Sequence, residues 1–257
     1  MQIQDQLGRT IELKETPKKI ISLVPSQTEL LVDLGLEKSI VGITHFCVHP
    51  TYLKRVKKSV GGTKKVNFRK VRELEPDIIL CNKEENTKEM VEELEKIAPV
   101  HVSDVASLTD SYSLIEQYGK IFNCSSLAKT LVSSIEKKEN SLRELVANSP
   151  IQDVAYFIWN EPLMVAGNKT FINEMLKLNN FRNVYKKERY PETNLQELKA
   201  FRVDLCLLSS EPFPFKEEHR AKFEKFAGKV KIVDGEYFSW YGSRLLEAMD
   251  YFKQFHV

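Results

Sequence analysis

VNFRKVRELEPDIILCNKE, residues 66–84, is matched without a gap by TNLQELKAFRVDLCLLSSE, residues 193–211. The alignment pairs Asn67 with Asn194, Asp77 with Asp204, Leu80 with Leu207 and Glu84 with Glu211. The separation is far longer than the period of a solenoid, which runs about 20–50 residues. A line repeated once in each half of the chain predicts two similar lobes. Two facing lobes leave a cleft, and the cleft is where a ligand is expected.

Working outward, Ile20-Ile21-Ser22-Leu23-Val24 is a short apolar run ending at Pro25, the pattern of a strand buried on both faces. Ser26 and Glu29 have capping-box spacing, so the following helix is expected to start on Ser26 and to stop at Gly35. Strands at Ile40–Ile43, Ile78–Leu80 and Val100–Val102 alternate with a helix around Thr87–Ile97. Such alternation predicts an α/β lobe with a parallel sheet. Residues 3–14, around Leu7-Gly8-Arg9, read as a small hairpin. From Ser107 to Asn148 the strand-like runs vanish and apolar residues recur at helical spacing, broken only at Asn123-Cys124-Ser125-Ser126. Val154–Trp159 then opens a second α/β region. The expected fold is thus α/β, two Rossmann-like lobes with parallel sheets joined by a long rigid helical connector. The expected boundaries are 1–106, 107–149 and 150–257.

Bulk composition narrows the function classes. With 38 Lys and Arg against 36 Asp and Glu, the chain carries no net basic field for nucleic acid. The dense basic stretch at Lys54-Arg55-Val56-Lys57-Lys58, followed by Lys64-Lys65, is interrupted by apolar residues and reads as solvated surface. No window approaches the ~18 apolar residues of a membrane span, so no membrane insertion is expected. Met1-Gln2-Ile3-Gln4-Asp5 lacks the features of a signal peptide, so the chain is expected to be cytoplasmic if complete and periplasmic if it is a trimmed mature form. Cys81 and Cys206 fall in different lobes, which makes them poor disulfide partners; buried free thiols in a reducing compartment are the simpler expectation. P-loop, Gly-x-Ser-x-Gly and Gly-x-Gly-x-x-Gly signatures are missing, which argues against an enzyme.

Taken together, the order of parts resembles the class III solute-binding proteins, the helical-backbone receptors that bring vitamin B12, haem and ferric siderophores to ABC transporters. IISLVPSQTE at 20–29 and Gly61-Gly62-Thr63 with the Asn67–Leu80 block carry the resemblance over nearly the whole chain. Residues 44–50 (THFCVHP), 82–86 (NKEEN), 210–215 (SEPFPF) and 234–244 (DGEYFSWYGSR) are similar to the subgroup labelled cobalamin-binding. The resemblance implies a monomeric binder of a small molecule, a corrinoid or similar metal chelate, with no obligatory cofactor and an ABC permease as partner. It also implies one docking glutamate per lobe just after the repeated asparagine. Here Arg69 and Gln196 hold those positions, with Glu197 one place on. An arginine would repel the transporter's arginines, so a cytosolic ligand sensor stays open as an alternative.

Ligands of open α/β sheets sit beyond the carboxyl ends of the strands. The candidates there are His45, Cys47 and His49 after the Ile40–Ile43 strand, Glu84 and Glu85 after Asp77–Leu80, and Trp159 with Glu161 after the strand opening the second lobe. Glu211 and Phe213 follow Asp204–Leu207, and Trp240, Tyr241 and Arg244 follow Ile232-Val233. The aromatics suit a flat, partly apolar ligand, and glycines around Trp240-Tyr241 predict an exposed loop there. Phe238 is expected in the core. Arg244 either pairs with an acidic group of the ligand or braces Glu211 or Glu161. If residues 45–49 are extended, His45, Cys47 and His49 share a face and could hold a metal directly, which would make a cytosolic metal-binding protein or metal-dependent enzyme.

Overall fold

Runs apolar enough to be covered on both faces become parallel strands in this protein. The computed structural model describes residues 1–256 and divides by its internal contacts into two units. Unit 1 holds Met1–Val105, Thr109–Ser134 and the late segment Tyr241–Arg244; unit 2 holds Ala106–Leu108, Ile135–Trp240 and the chain from Leu245 onward.

Unit 1 begins with an antiparallel arm, β1 (Gln2–Gln4) and β2 (Thr10–Glu12). Its main sheet is built from β3 (Ile20–Ser22), β4 (Ile40–Ile43), β5 (Lys58–Ser59), β6 (Ile78–Asn82) and β7 (Val100–Ser103), all parallel in the order β5-β4-β3-β6-β7. Helices α1 (Pro25–Asp33), α2 (Leu53–Val56), α3 (Phe68–Glu73) and α4 (Lys88–Glu95) connect them. Ile21, Leu23, Ile79 and Cys81, all fully buried, form the core with Val71 and Leu94 from the helices. The strand order reverses at β3, so the crevice beyond Ser22 and Asn82 is the topological switch point.

Two helices follow, α5 (Leu108–Ile121) and α6 (Ser125–Val146). At 22 residues, α6 is about 33 Å long, and the division between units falls inside it, after Ser134.

In unit 2, β8 (Gln152–Trp159), β9 (Met164–Val165), β10 (Phe181–Asn183), β11 (Leu205–Ser209) and β12 (Lys229–Val233) form the second sheet. Its parallel path runs β10-β8-β11-β12, with β9 antiparallel on β8. Its helices are α7 (Phe171–Leu178), α8 (Leu195–Phe201), α9 (Glu217–Arg220), α10 (Gly235–Ser239) and α11 (Leu245–Lys253). Here the order reverses between β8 and β11.

The repeated line has a physical meaning in each unit. Asn67 and Asn194 are the N-caps of α3 and α8, their side chains accepting from Lys70 N and from Gln196 N and Glu197 N. The helices end alike, Glu75 and Arg202 both adopting left-handed backbone at φ 46° and 52°. Asp77 then accepts the amides of Lys18 and Lys19 at 2.7 and 2.9 Å, while Asp204 accepts the amide of Asp153 at 2.8 Å. Each aspartate ties its strand to the neighbour that precedes it in the sheet. Finally Asn82 Oδ1 accepts the amide of Glu84 and Ser209 Oγ that of Glu211, shaping the turn at each strand end.

One local expectation fails. Helix α1 starts at Pro25 after Val24, with no side-chain cap, so Ser26 and Glu29 form no capping box. Proline at the first helical position has no amide to satisfy, which removes part of the need for one.

Candidate functional site

In unit 1 the chain leaving β4 does not stay extended. Cys47 N bonds Thr44 O at 3.2 Å, closing a turn over residues 44–47. That turn cancels the period-two alternation on which convergence of His45, Cys47 and His49 depended. Cys47 is swung wholly inside, its Sγ 3.1 Å from Thr28 Oγ1 and 3.3 Å from Thr44 Oγ1, and burial pushes its thiol pKa up. His45 points the other way and is exposed. Among the described residues, no group of three or more His, Cys, Asp and Glu side chains is gathered to hold a metal ion. The direct-metal reading of His45, Cys47 and His49 is therefore corrected.

His45 instead walls an open pocket of about 730 Å³ with Phe46 and the turn Gly61–Asn67. The two rings lie 4.1 Å apart at 47°. Gly62 is what lets them sit there, since a Cβ at that position would stand 3.0 Å from His45 Cε1 and 3.3 Å from Phe46 Cε2. Lys64 and Lys65 also line the pocket. Lys64 Nζ donates to the carbonyl of Glu84, and Asn86 Nδ2 to that of Thr63 at 2.7 Å, so the turn is tied to the loop after β6. Glu84 and Glu85, both half-buried, belong to that loop. Phe46 was not among the expected ligand residues, and Lys64 and Lys65 were read as solvated surface. The double glycine was the available signal, because it marks a close approach rather than only a flexible turn.

In unit 2 the switch point carries Trp159, Glu211 and Phe213. Trp159 is 38% exposed, packs edge-on against Phe213 with centroids 5.8 Å apart, and donates from Nε1 to Glu161 O at 2.9 Å. Glu161 itself is exposed. The carboxylate of Glu211 accepts from Ser239 Oγ at 2.6 Å and Trp240 Nε1 at 3.0 Å. Burial raises its pKa above the usual carboxylate range, against the lowering effect of those donors. Gly235 makes room for this side chain, since a Cβ there would lie 2.6 Å from Glu211 Cγ.

Three of the expected ligand residues are buried among protein partners. Trp240 and Tyr241 are only 8% and 5% exposed, so no open aromatic loop forms. Trp240 is turned onto Glu211, while Tyr241 belongs to a buried polar cluster in unit 1. There Gln27 Nε2 donates to Tyr241 OH at 2.9 Å and to Ser103 Oγ at 2.7 Å, and Tyr118 OH donates to Gln27 Oε1 at 2.6 Å. Arg244 braces neither Glu211 nor Glu161. Its guanidinium meets Glu29 in a two-pronged pair, Nη2–Oε1 2.5 Å and Nε–Oε2 3.0 Å, with side chains 6% and 15% exposed. Glu29, expected in a helix cap, makes this pair instead. Phe238 is fully buried, as expected.

At the docking positions, exposed Arg69 pairs with Glu73 at 2.8 Å and Gln196 is exposed, while Glu197 accepts from the Thr193 hydroxyl at 2.7 Å. Among the described residues, no helix is long and apolar enough to cross a membrane.

Known proteins bear on this geometry. The periplasmic binding protein family matches residues 20–228. A Bacillus subtilis relative, the uncharacterized ABC transporter substrate-binding lipoprotein YvrC, is 31% identical over 189 residues, 70% of this chain. That match spans only 60% of YvrC's length. The vitamin B12-binding protein of Pectobacterium carotovorum is 20% identical over 237 residues, covering 90% of this chain and 86% of its own. Among solved structures, the periplasmic vitamin B12 binding protein BtuF of Vibrio cholerae superposes with a TM-score of 0.82 at 16% identity, over 93% of this chain and 96% of its own. A periplasmic heme binding protein from Pseudomonas aeruginosa gives 0.82 at 21%, over 93% and 92%. At such identities these two structures establish the fold, α/β with parallel sheets and a long helix.

The cytoplasmic expectation is overturned by these findings, because the matched family is periplasmic and the YvrC relative is a lipoprotein. That expectation rested on five residues at one end and on the free thiols. Burial alone keeps Cys47, Cys81 and Cys206 out of reach, so the thiols need no reducing compartment. Family and neighbours are solute-binding proteins rather than enzymes, in line with the missing catalytic signatures. Matched over most of its length, the chain belongs to the periplasmic binding protein family.

Proposed function

We propose that this protein is the ligand-binding component of an ABC transporter and holds a metal chelate of the corrinoid or haem type without changing it. The observation that carries this reading is the His45 pocket, about 730 Å³ and open, with one exposed imidazole, one aromatic ring and a glycine floor. A bare cation needs several protein donors, and none are gathered here among the described residues. A chelate already fills most of its metal's coordination sites and asks the protein for a single nitrogen, a flat apolar wall and cations for peripheral acidic groups. His45, Phe46 and the Lys64-Lys65 pair supply these. The names of the relatives, vitamin B12-binding and heme-binding, support the same class.

Glu84 and Glu85 are assigned to the rim of this pocket in unit 1, and Trp159, Glu161 and Phe213 are the candidate binding residues of unit 2. Cys47, Glu211, Trp240, Tyr241 and Arg244 support the loops behind them. Residues 107–149 are the connector in this reading, and the receiving partner is a permease.

Titration with cyanocobalamin, cobinamide and haemin, followed by absorbance and thermal melting, tests the proposal. At a hundredfold excess over Kd, binding adds about 2.7 kcal/mol and the melting temperature climbs with ligand concentration. His45→Ala is expected to weaken the preferred chelate by about tenfold, the loss of about 1.4 kcal/mol. Stabilisation by none of the three, or by free divalent cations instead, would falsify the reading.

A further inference from the structure

Charge is not spread evenly along this chain. Residues 51–72 hold nine of its 38 Lys and Arg and none of its 36 Asp and Glu, leaving the rest of the sequence at net −7. The near-neutral total conceals this segregation. Folding gathers the stretch on one edge of unit 1, where α2 runs into the edge strand β5 and the chain returns through α3. Asn67 N bonds Val60 O at 2.7 Å and Lys70 Nζ bonds Ser59 O at 3.3 Å, which returns the start of α3 to the end of β5. Lys54, Arg55, Lys58, Arg69, Lys70 and Arg72 are exposed. Of the acidic neighbours, Glu73 pairs with Arg69, Glu37 accepts the hydroxyl of Tyr52 at 2.7 Å, and Glu84 and Glu85 lie in the loop tied to Lys64. Apolar groups stand among the cations, with Val56 63% and Tyr52 44% exposed on either side of the buried anchor Leu53.

We propose that this edge docks on an anionic lipid bilayer. The apolar groups among the cations select the occupant. Lys54, Arg55 and Lys58 flank exposed Val56 and Tyr52 on the short helix α2 and the edge strand β5 after it. Charge density with a few apolar side chains that can sink among headgroups is what a fluid anionic surface reads. Lys64 and Lys65 line the His45 pocket and are left out of this surface, whose test rests on Lys54, Arg55, Lys58 and Val56, so the two proposals fail separately.

The experiment is co-sedimentation of the ligand-free full chain with vesicles of phosphatidylcholine alone and of phosphatidylcholine mixed with phosphatidylglycerol. Binding is expected only to the anionic vesicles, and is expected to be lost at about 0.5 M salt, where the screening length falls to a few ångströms. Lys54→Glu/Arg55→Glu/Lys58→Glu, all exposed positions, should weaken it by at least about a hundredfold while leaving the melting temperature in place. Val56→Ser should weaken it by roughly fivefold with an unchanged salt dependence. Equal binding to neutral vesicles, or a folded triple variant that binds as well as the parent, overturns the proposal. So does capture by soluble polyglutamate without vesicle binding, which would make the edge a surface for an acidic protein.

Discussion

Glu211 shows how much of a site residue's behaviour comes from its surroundings. Its place at a strand end follows from the repeat, but its pKa does not. Burial favours the neutral carboxyl, and the donors Ser239 and Trp240 only partly offset that. A carboxyl whose folded pKa is raised adds stability below its unfolded pKa and loses it as pH climbs through the folded value. Glu211→Gln keeps an acceptor for both donors and removes the charge. It is therefore expected to raise the melting temperature at neutral pH, with the advantage shrinking to nothing toward pH 4, the usual glutamate range being about 4.3. Parallel melting curves across that range would contradict the assignment. His45 is the opposite case. Its residue type and position after β4 were legible, but its separation from Cys47 was not, because a single turn hydrogen bond at Thr44 decides which way each side chain faces.

Among the elements, the late segment Tyr241–Arg244 is the least readable from its own sequence. Glycines at Gly235 and Gly242 suggest an exposed loop, yet the segment belongs to unit 1 and is held there by polar contacts. Gly242 N bonds Ser111 Oγ at 3.0 Å, Tyr241 joins Gln27 and Ser103, and Arg244 grips Glu29. Removing one partner of a largely buried ion pair strands the other charge, at a cost of about 3–5 kcal/mol. Arg244→Met should destabilise the protein by that order in denaturant titration, and Glu29→Met/Arg244→Met should recover most of it. If the double variant is no better than the single, the pair is not what anchors the segment. The caps behave differently. Asn67 and Asn194 announce α3 and α8 because capping is local: a side-chain oxygen reaches an amide two or three residues on, at a worth of about 1 kcal/mol.

For the whole molecule, the four free cysteines give a measure of how completely the interior is closed. Cys47, Cys81 and Cys206 are buried and Cys124 is half-buried. A thiol reagent should modify Cys124 first in the native protein and all four only after denaturation. Reductant should leave the melting temperature unchanged. Fast native modification of Cys47 would mean that the turn at residues 44–47 opens readily. The sequence by itself determined the α/β class, the parallel strands, the long helices and the duplicated line. Those features depend on periodicity and caps, which act over a few residues, and on the identity of an apolar run. Tertiary structure alone decided that Glu29 and Arg244 pair, that Trp240 and Tyr241 are buried, that Cys47 turns away from His45, and that the cations of residues 51–72 share an edge. Each of these joins positions distant along the chain or depends on which face of a turn meets the core. No local pattern carries that information, because the burial that sets it is supplied by the rest of the fold.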